Sequence, residues 1–189
     1  MCVLFSLPIV NAQPVDVDKN NNDILILLVH PDLKNSKANK ALINAVEDLP
    51  NVKVIDLYDT PMDVEYYKKA LNEAKAVIFQ FPFYWASAPS VLKKWCDEIF
   101  TSFGQTPVIQ KKPLLVVTTT GSEYEAYRAG GRNQFTIDEL LRPYQLLANH
   151  SGMIWQTPFV VYGVGLPNGE ESIAMGAKAY RERIETLLK

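Results

Sequence analysis

Apolar residues in this chain come in short unbroken runs, and between the runs they recur at every third or fourth position. The run DILILLV (23–29) is too short for a typical helix and reads as a buried strand. AVIFQFP (76–82), stopped by Pro82, and KPLLVVTTT (112–120) read the same way. VKVIDL (52–57) alternates and predicts a second strand, and MIWQTPFVVYG (153–163) predicts a fifth. From Ser36 onward, Ala38, Ala41, Leu42, Ala45, Val46 and Leu49 fall at helical spacing, predicting a helix over 36–48. VEYYKKALNEA (64–74) predicts a short helix, and PSVLKKWCDEIF (89–100) one with Pro89 in its first turn. TIDELLRPYQLLANHSG (136–152) predicts a helix opened by a Thr136/Glu139 capping box, kinked by Pro143 and ended near Gly152. A closing helix is expected over 170–189.

Strands and helices therefore alternate strictly, which implies an α/β chain: a five-stranded parallel sheet covered by helices on both faces. Right-handed crossovers leave few topologies, and the order 2-1-3-4-5 is the expected one. Ligands of such sheets bind beyond the carboxyl ends of the strands, where the order switches between strands one and three. The loops after strands one, three and four should then carry the function.

Composition narrows the class. The chain has 189 residues, 48% of them hydrophobic and 21% charged, which suits one globular domain. A net charge of −2 and a pI near 5.7 give no basic field for nucleic acid, so no nucleic-acid partner is expected. Cys2 and Cys96 form no metal or CxxC pattern, so no metal site is expected, and free thiols fit a cytoplasmic protein. The first residues, MCVLFSLPIVNAQ, are apolar, but no Lys or Arg precedes them and Pro8 interrupts them. That argues for an arm rather than a signal peptide, followed by a polar linker. The expected organisation is an arm or linker over 1–22 and a single domain over 23–189.

Three loops carry candidate chemistry. In HPDLKNSKANK (30–40) a strand ends where a helix begins, and a helix N-terminus attracts anions. The loop has no glycine, so side chains would have to finish a phosphate cradle: His30 and Ser36 as donors, Asn39 as a brace. A plain capped helix is the other reading. In QFPFYWASAPSVLKKW (80–95), Phe83, Tyr84 and Trp85 follow a buried strand directly and need a cover. Either a flat conjugated ring or an oligomer partner would serve. In TTTGSEYEAYRAGGRNQF (118–135), threonine hydroxyls and backbone amides can meet the polar end of a heterocycle, with Tyr124 and Tyr127 placed to close over it. A surface loop with scattered tyrosines is the alternative.

The strings QFPFYW…P..LK.W.D..F and TTTGSE.EAY..GG resemble the flavodoxin-like NAD(P)H:quinone oxidoreductases. That family includes the modulator-of-drug-activity-B type reductases and the ancillary flavoproteins of glutathione-gated potassium efflux systems. The resemblance covers about residues 23–163. It implies a three-layer flavodoxin-like fold and a flavin phosphate held at His30, Ser36, Ala38 and Asn39. It places Pro82, Phe83, Tyr84, Trp85 and Ala86 along the isoalloxazine. It places Thr118, Thr119, Thr120, Gly121 and Glu123 at the pyrimidine end, and Tyr127, the expected catalytic residue, beside the nicotinamide or quinone. The chain departs from the family in two places. Thr120 stands where a second glycine is common, and the third loop lacks the histidine that some members pair with the tyrosine, leaving Arg128 or Arg132 to substitute.

The resemblance thus implies a flavin-dependent reductase that passes a hydride from NAD(P)H to a quinone-type acceptor by a ping-pong mechanism. FMN is expected over FAD, because the chain stops soon after the fifth helix. A homodimer is expected from the density of aromatics at one sheet end. The alternative is a regulatory flavoprotein bound to a membrane potassium transporter.

Overall fold

The computed structural model describes residues 23–187. The arm and linker expected over 1–22 lie outside the described residues. Strands β1 (Ile24–Leu28), β2 (Val52–Asp56), β3 (Ala76–Pro82), β4 (Pro113–Thr119), β5 (Ile154–Trp155) and β6 (Phe159–Val161) form one sheet. Its helices are α1 (Lys37–Asn44), α2 (Val64–Glu73), α3 (Ser90–Glu98), α4 (Ile137–Leu140), α5 (Arg142–Ser151) and α6 (Gly169–Thr186). The sheet order is β2-β1-β3-β4-β5, with β6 also on β4, and every pairing is parallel. This is the expected topology.

Alternation along the strands sorts the core into two layers. Leu25, Leu27, Phe79, Phe81, Leu114 and Val116 pack with Tyr67, Trp95 and Ala148 on the face that carries α2, α3 and α5. Ile24, Ile26, Leu28, Ile78, Leu115 and Val117 pack with Leu42, Ile43, Tyr180 and Ile184 of α1 and α6. The central strands are buried on both faces, which is why they read as continuous apolar runs.

Two expected elements are divided, each at a proline. The fifth strand is two short pieces: Trp155 pairs with Leu114 and Phe159 with Val117, so three steps on β4 face four on its partner. The extra residue falls in the segment that holds Pro158, which has no N–H for the ladder. The helix expected over 136–152 breaks at Leu141, whose ψ of 2° is not helical. Pro143 cannot donate to the carbonyl four residues back, so it opens α5 instead. The Thr136/Glu139 capping box forms in both directions, and Gly152 ends α5 with a φ of 73°. The shape of the sheet edge thus follows from missing donors, while the strand order follows from burial.

Candidate active site

The carboxyl ends of β1, β3 and β4 open onto a cleft of about 640 Å³. That is within the range of about 300–1,000 Å³ usual for small-molecule sites. Its walls include His30, Ser36, Ala38, Asn39, Pro82, Phe83, Tyr84, Trp85, Thr119 and Gly121, so most of the sequence candidates converge there. Ala86, Thr118, Thr120, Glu123 and Tyr127 do not line it.

At one end stands the N-terminus of α1. Ser36 caps the helix, its Oγ accepting from the Asn39 amide at 3.2 Å. Its own amide is bonded to Leu33. The amides of Lys37 and Ala38 have no acceptor among the described residues, and both residues line the cleft. Two backbone donors, a capping hydroxyl with a free proton and the positive end of the helix dipole therefore meet at one point. Asp32 holds the approach by accepting from the Asn35 amide and side chain, which folds the single turn at Leu33–Asn35.

His30 is buried beside this point, edge-on to Tyr84. Its Nδ1 accepts from the Asp32 amide at 3.0 Å, so in the neutral imidazole Nε2 carries the proton. Burial is the main cause that lowers its pKa from the ordinary 6.5, opposed by the Asp32 and Asp56 carboxylates. Below pH 6.5 the unfolded chain takes up a proton that the native imidazole still refuses. The stability of the ligand-free protein should therefore fall as pH drops through that window, and His30→Gln should flatten the fall. Urea melts of both proteins between about pH 7 and pH 5 check this; equal slopes would place the effect on another group.

The second loop is a two-residue turn. Tyr84 and Ser87 exchange both backbone hydrogen bonds, at 2.9 and 3.0 Å, across Trp85 and Ala86. Those residues have φ of 48° and 64°, the left-handed values that such a turn requires and that favour glycine. Holding Trp and Ala there costs energy that the fold must offset. The turn leaves the Trp85 and Ala86 amides without acceptors among the described residues, and Trp85 100% exposed.

The third loop turns its three threonines differently. Thr118 donates to the Phe81 carbonyl at 2.8 Å, and Thr120 to the Ser122 carbonyl at 2.8 Å. Only Thr119 faces the cleft. Thr120 is thus directed inward, and the close approach comes at Gly121. A side chain there would meet no protein atom within 4 Å, and the Gly121 amide has no acceptor among the described residues. The loop reverses at Gly130, with φ of 80°, and at Gly131, where a Cβ would come within 2.2 Å of the Glu125 carbonyl oxygen.

Tyr127 lies one layer away from the cleft. Its ring stands edge-on to Phe83 at 6.1 Å and tilts against Tyr162 at 6.0 Å. It lines a separate cavity of about 290 Å³ with Tyr124, Arg128 and Tyr162. Burial raises its pKa above the ordinary 10.0, with the Arg132 charge opposing. Arg132 itself donates to Ser122 Oγ, while His150 sits on α5 near Gln105, among the residues of another cavity.

That other cavity, about 960 Å³, is larger than the cleft and lies on the flank between α3 and α5. Size alone would favour it. Its walls join helix sides such as Cys96 and Tyr144 to the turns over Phe100–Thr106, whereas the smaller cleft lies at the carboxyl ends of the strands where the sheet order switches, beside the N-terminus of α1. Burial pushes the Cys96 thiol up to about 12, so it is no thiolate.

Sequence reasoning missed Asp32, Asn35 and Lys37 in the first loop, and Val164 and Ile173, which reach the cleft from the β6–α6 side. It also missed Gln80, buried beneath Asn39. The signal for Gln80 was present, since it is the single polar residue of AVIFQFP.

A family described as having a flavodoxin-like fold matches this chain over residues 22–184. The chain belongs to that family. Within the flavodoxin-like proteins it is 39% identical to general stress protein 14 of Bacillus subtilis, over 86% of this chain and 97% of the relative. It is 34% identical to the glutathione-regulated potassium-efflux system ancillary protein KefG of Yersinia enterocolitica, over 87% and 94%. Among solved structures it is similar to an NADPH-quinone reductase of P. pentosaceus, with 31% identity, a TM-score of 0.75 and coverage of 85% and 96%. It is also similar to general stress protein 14 of Treponema denticola in complex with FMN, with 25% identity, a TM-score of 0.80 and coverage of 87% and 99%. The cleft at the β1/β3 switch lies where flavodoxin-like sheets hold their ligands.

Proposed function

We propose that the protein is a flavin-dependent NAD(P)H oxidoreductase that reduces quinone-type acceptors. The observation that carries this reading is the cleft at the β1/β3 switch, with unpaired donors at both ends and an aromatic turn along its side. The residues fit FMN. The Lys37 and Ala38 amides, Ser36 Oγ–H and His30 Nε2–H suit a phosphate, and the space above Gly121 suits a flat polar edge. The chemistry such a cofactor supplies is hydride acceptance from NAD(P)H and delivery to the acceptor. The protein's part is to orient and to exclude water. Phe83 and Tyr84 present the apolar wall, and the Trp85, Ala86 and Gly121 amides offer donors where negative charge would develop. Tyr127, a protonated phenol behind Phe83, is the candidate proton donor to the acceptor. Two substrates using one cleft in turn would give ping-pong kinetics. The relatives named as a quinone reductase and as an FMN complex support the same reading.

The test is an absorbance spectrum of the purified protein, mass analysis of the released cofactor, and NAD(P)H oxidation with a soluble quinone. A protein without flavin bands that also fails to bind added FMN would remove the reading. The likeness to the potassium-efflux ancillary protein supports a second one, a regulatory subunit of a transporter. A flavin-loaded protein that turns over negligibly but copurifies with a potassium transporter would favour it.

The cleft is also proposed to lie beside a homodimer contact. Trp85 is wholly exposed, Tyr84 is half-exposed, and the flank cavity runs on from Ser87 and Ala88 along α3. Exposed aromatic surface next to a groove of this kind is the mark of an interface. Light scattering at micromolar concentration should give twice the chain mass of 21.3 kDa. A monomer mass would remove the proposal.

A further inference from the structure

Three polar side chains are sealed between the sheet and α1. Gln80 on β3 is 0% exposed, Asn39 on α1 1% and Thr119 on β4 4%. Gln80 Nε2 donates to the Asn39 backbone carbonyl at 3.2 Å and reaches its side-chain Oδ1 at 3.5 Å. Asn39 Nδ2 donates to Thr119 Oγ1 at 3.2 Å.

The direction of this chain is set at its first member. An amide side chain can be turned end for end, exchanging donor and acceptor, but a backbone carbonyl can only accept. Gln80 must therefore keep its NH₂ toward the Asn39 carbonyl. An NH₂ in that place requires Asn39 to turn its oxygen to Gln80 and its own NH₂ to Thr119. Thr119 Oγ1 becomes an acceptor on the buried side, and its proton has to leave in another direction.

The neighbouring threonines show what is unusual here. Thr118 and Thr120 donate to backbone carbonyls, whereas Thr119 has no acceptor among the described residues, and it is the one that lines the cleft. Gln80 is also retained at a cost, because its Oε1 is buried without a partner. An unpaired buried acceptor destabilises, and a methionine would fill the same volume without one. From these observations we infer that Gln80 is a positioning residue: acting through Asn39, it holds the Thr119 hydroxyl as a donor into the cleft. The acceptor is an oxygen of the flavin ribityl chain or phosphate. The inference rests on the flavin reading of the cleft.

The test compares FMN and riboflavin affinities, by titration of flavin fluorescence, and melting of the flavin-free protein. The proteins are wild type, Thr119→Val, Thr119→Ser, Gln80→Met and the Thr119→Val/Gln80→Met double variant. Thr119→Val should weaken FMN binding about tenfold, the loss of one buried hydrogen bond, and Thr119→Ser should restore it. Gln80→Met should weaken binding severalfold, and the double variant should bind no worse than Thr119→Val alone. The flavin-free Gln80→Met protein should melt near wild type, since it exchanges one orphan acceptor, Gln80 Oε1, for another, Asn39 Oδ1. Equal losses for FMN and riboflavin support donation to the ribityl chain; a loss confined to FMN supports donation to the phosphate.

Wild-type affinity in Gln80→Met, or additive losses in the double variant, would overturn the inference. So would a Gln80→Met protein that melts lower yet binds normally, which would make Gln80 a structural residue only. Should Gln80→Met fail to fold, Thr119→Val decides, and wild-type affinity there overturns the inference. A wild-type protein that binds no flavin would overturn the reading of the cleft itself.

Discussion

Replacing Ser36 and Asn39 together by alanine should weaken FMN binding at least tenfold. Ser36 acts twice in the loop. It caps α1 through Oγ, and its proton is free for an anion at the point where the Lys37 and Ala38 amides converge. A charge-assisted hydrogen bond is worth roughly 1.5–3 kcal/mol, and loss of an N-cap costs about 1 kcal/mol of stability. Asn39 works from below, holding Thr119 and bonded by Gln80. Removing it leaves Thr119 Oγ1 without its donor and opens a small cavity under the helix. The double variant should therefore also unfold at lower denaturant. Titrating flavin into each protein separates the two effects, because affinity is read on the folded fraction alone. Unchanged affinity would remove the phosphate assignment even if stability fell. Single variants would apportion the loss, with that of Ser36→Ala specific to FMN.

Tyr127→Phe should lower kcat/KM while leaving flavin content intact. The ring is held edge-on by Phe83 and against Tyr162, so the variant keeps the packing and removes only the hydroxyl. The phenol is protonated at neutral pH, partial burial raises its pKa further above the ordinary 10.0, and the Arg132 charge opposes that rise and favours release of the proton once an acceptor draws on it. General acid help is typically worth about 10²–10⁴-fold, and a loss of that size would assign proton transfer to Tyr127. A loss below about tenfold would leave it a packing role behind Phe83. Its place beside the cleft, not within its walls, makes the comparison with Tyr124→Phe informative. Tyr124 is more exposed and packs on the same Tyr162. Impairment there with a normal Tyr127→Phe protein would move the role to Tyr124.

The order of elements and the sheet topology were legible in the one-dimensional pattern, for a physical reason. A parallel strand covered on both faces must be apolar throughout, and a helix lying on it must repeat every third or fourth residue. Both are statements about single segments. The positions of the breaks were only half legible. Pro143 and Pro158 announce a missing donor, but whether a missing donor kinks an element or divides it depends on the partner strand or helix that would have received the bond.

The site divides in the same way. That the cleft should form after strands one, three and four follows from the alternation of elements, and the loop residues were visible as polar or aromatic groups ending apolar runs. Which groups face the ligand was not visible. Thr118, Thr119 and Thr120 are chemically alike, and only the pairing of β4 with β3 and the loop turn at Ser122 direct two hydroxyls inward and one outward. Val164 and Ile173 arrive from far along the chain, brought in by the packing of α6 on α1. Gln80 stood out in the sequence as a polar residue in an apolar strand, but its partners lie 41 and 80 residues apart in the contacts that join it to Asn39 and Asn39 to Thr119. Composition and periodicity settle what each segment must bury. Which donor is left over once all segments are buried together is a property of the assembled sheet.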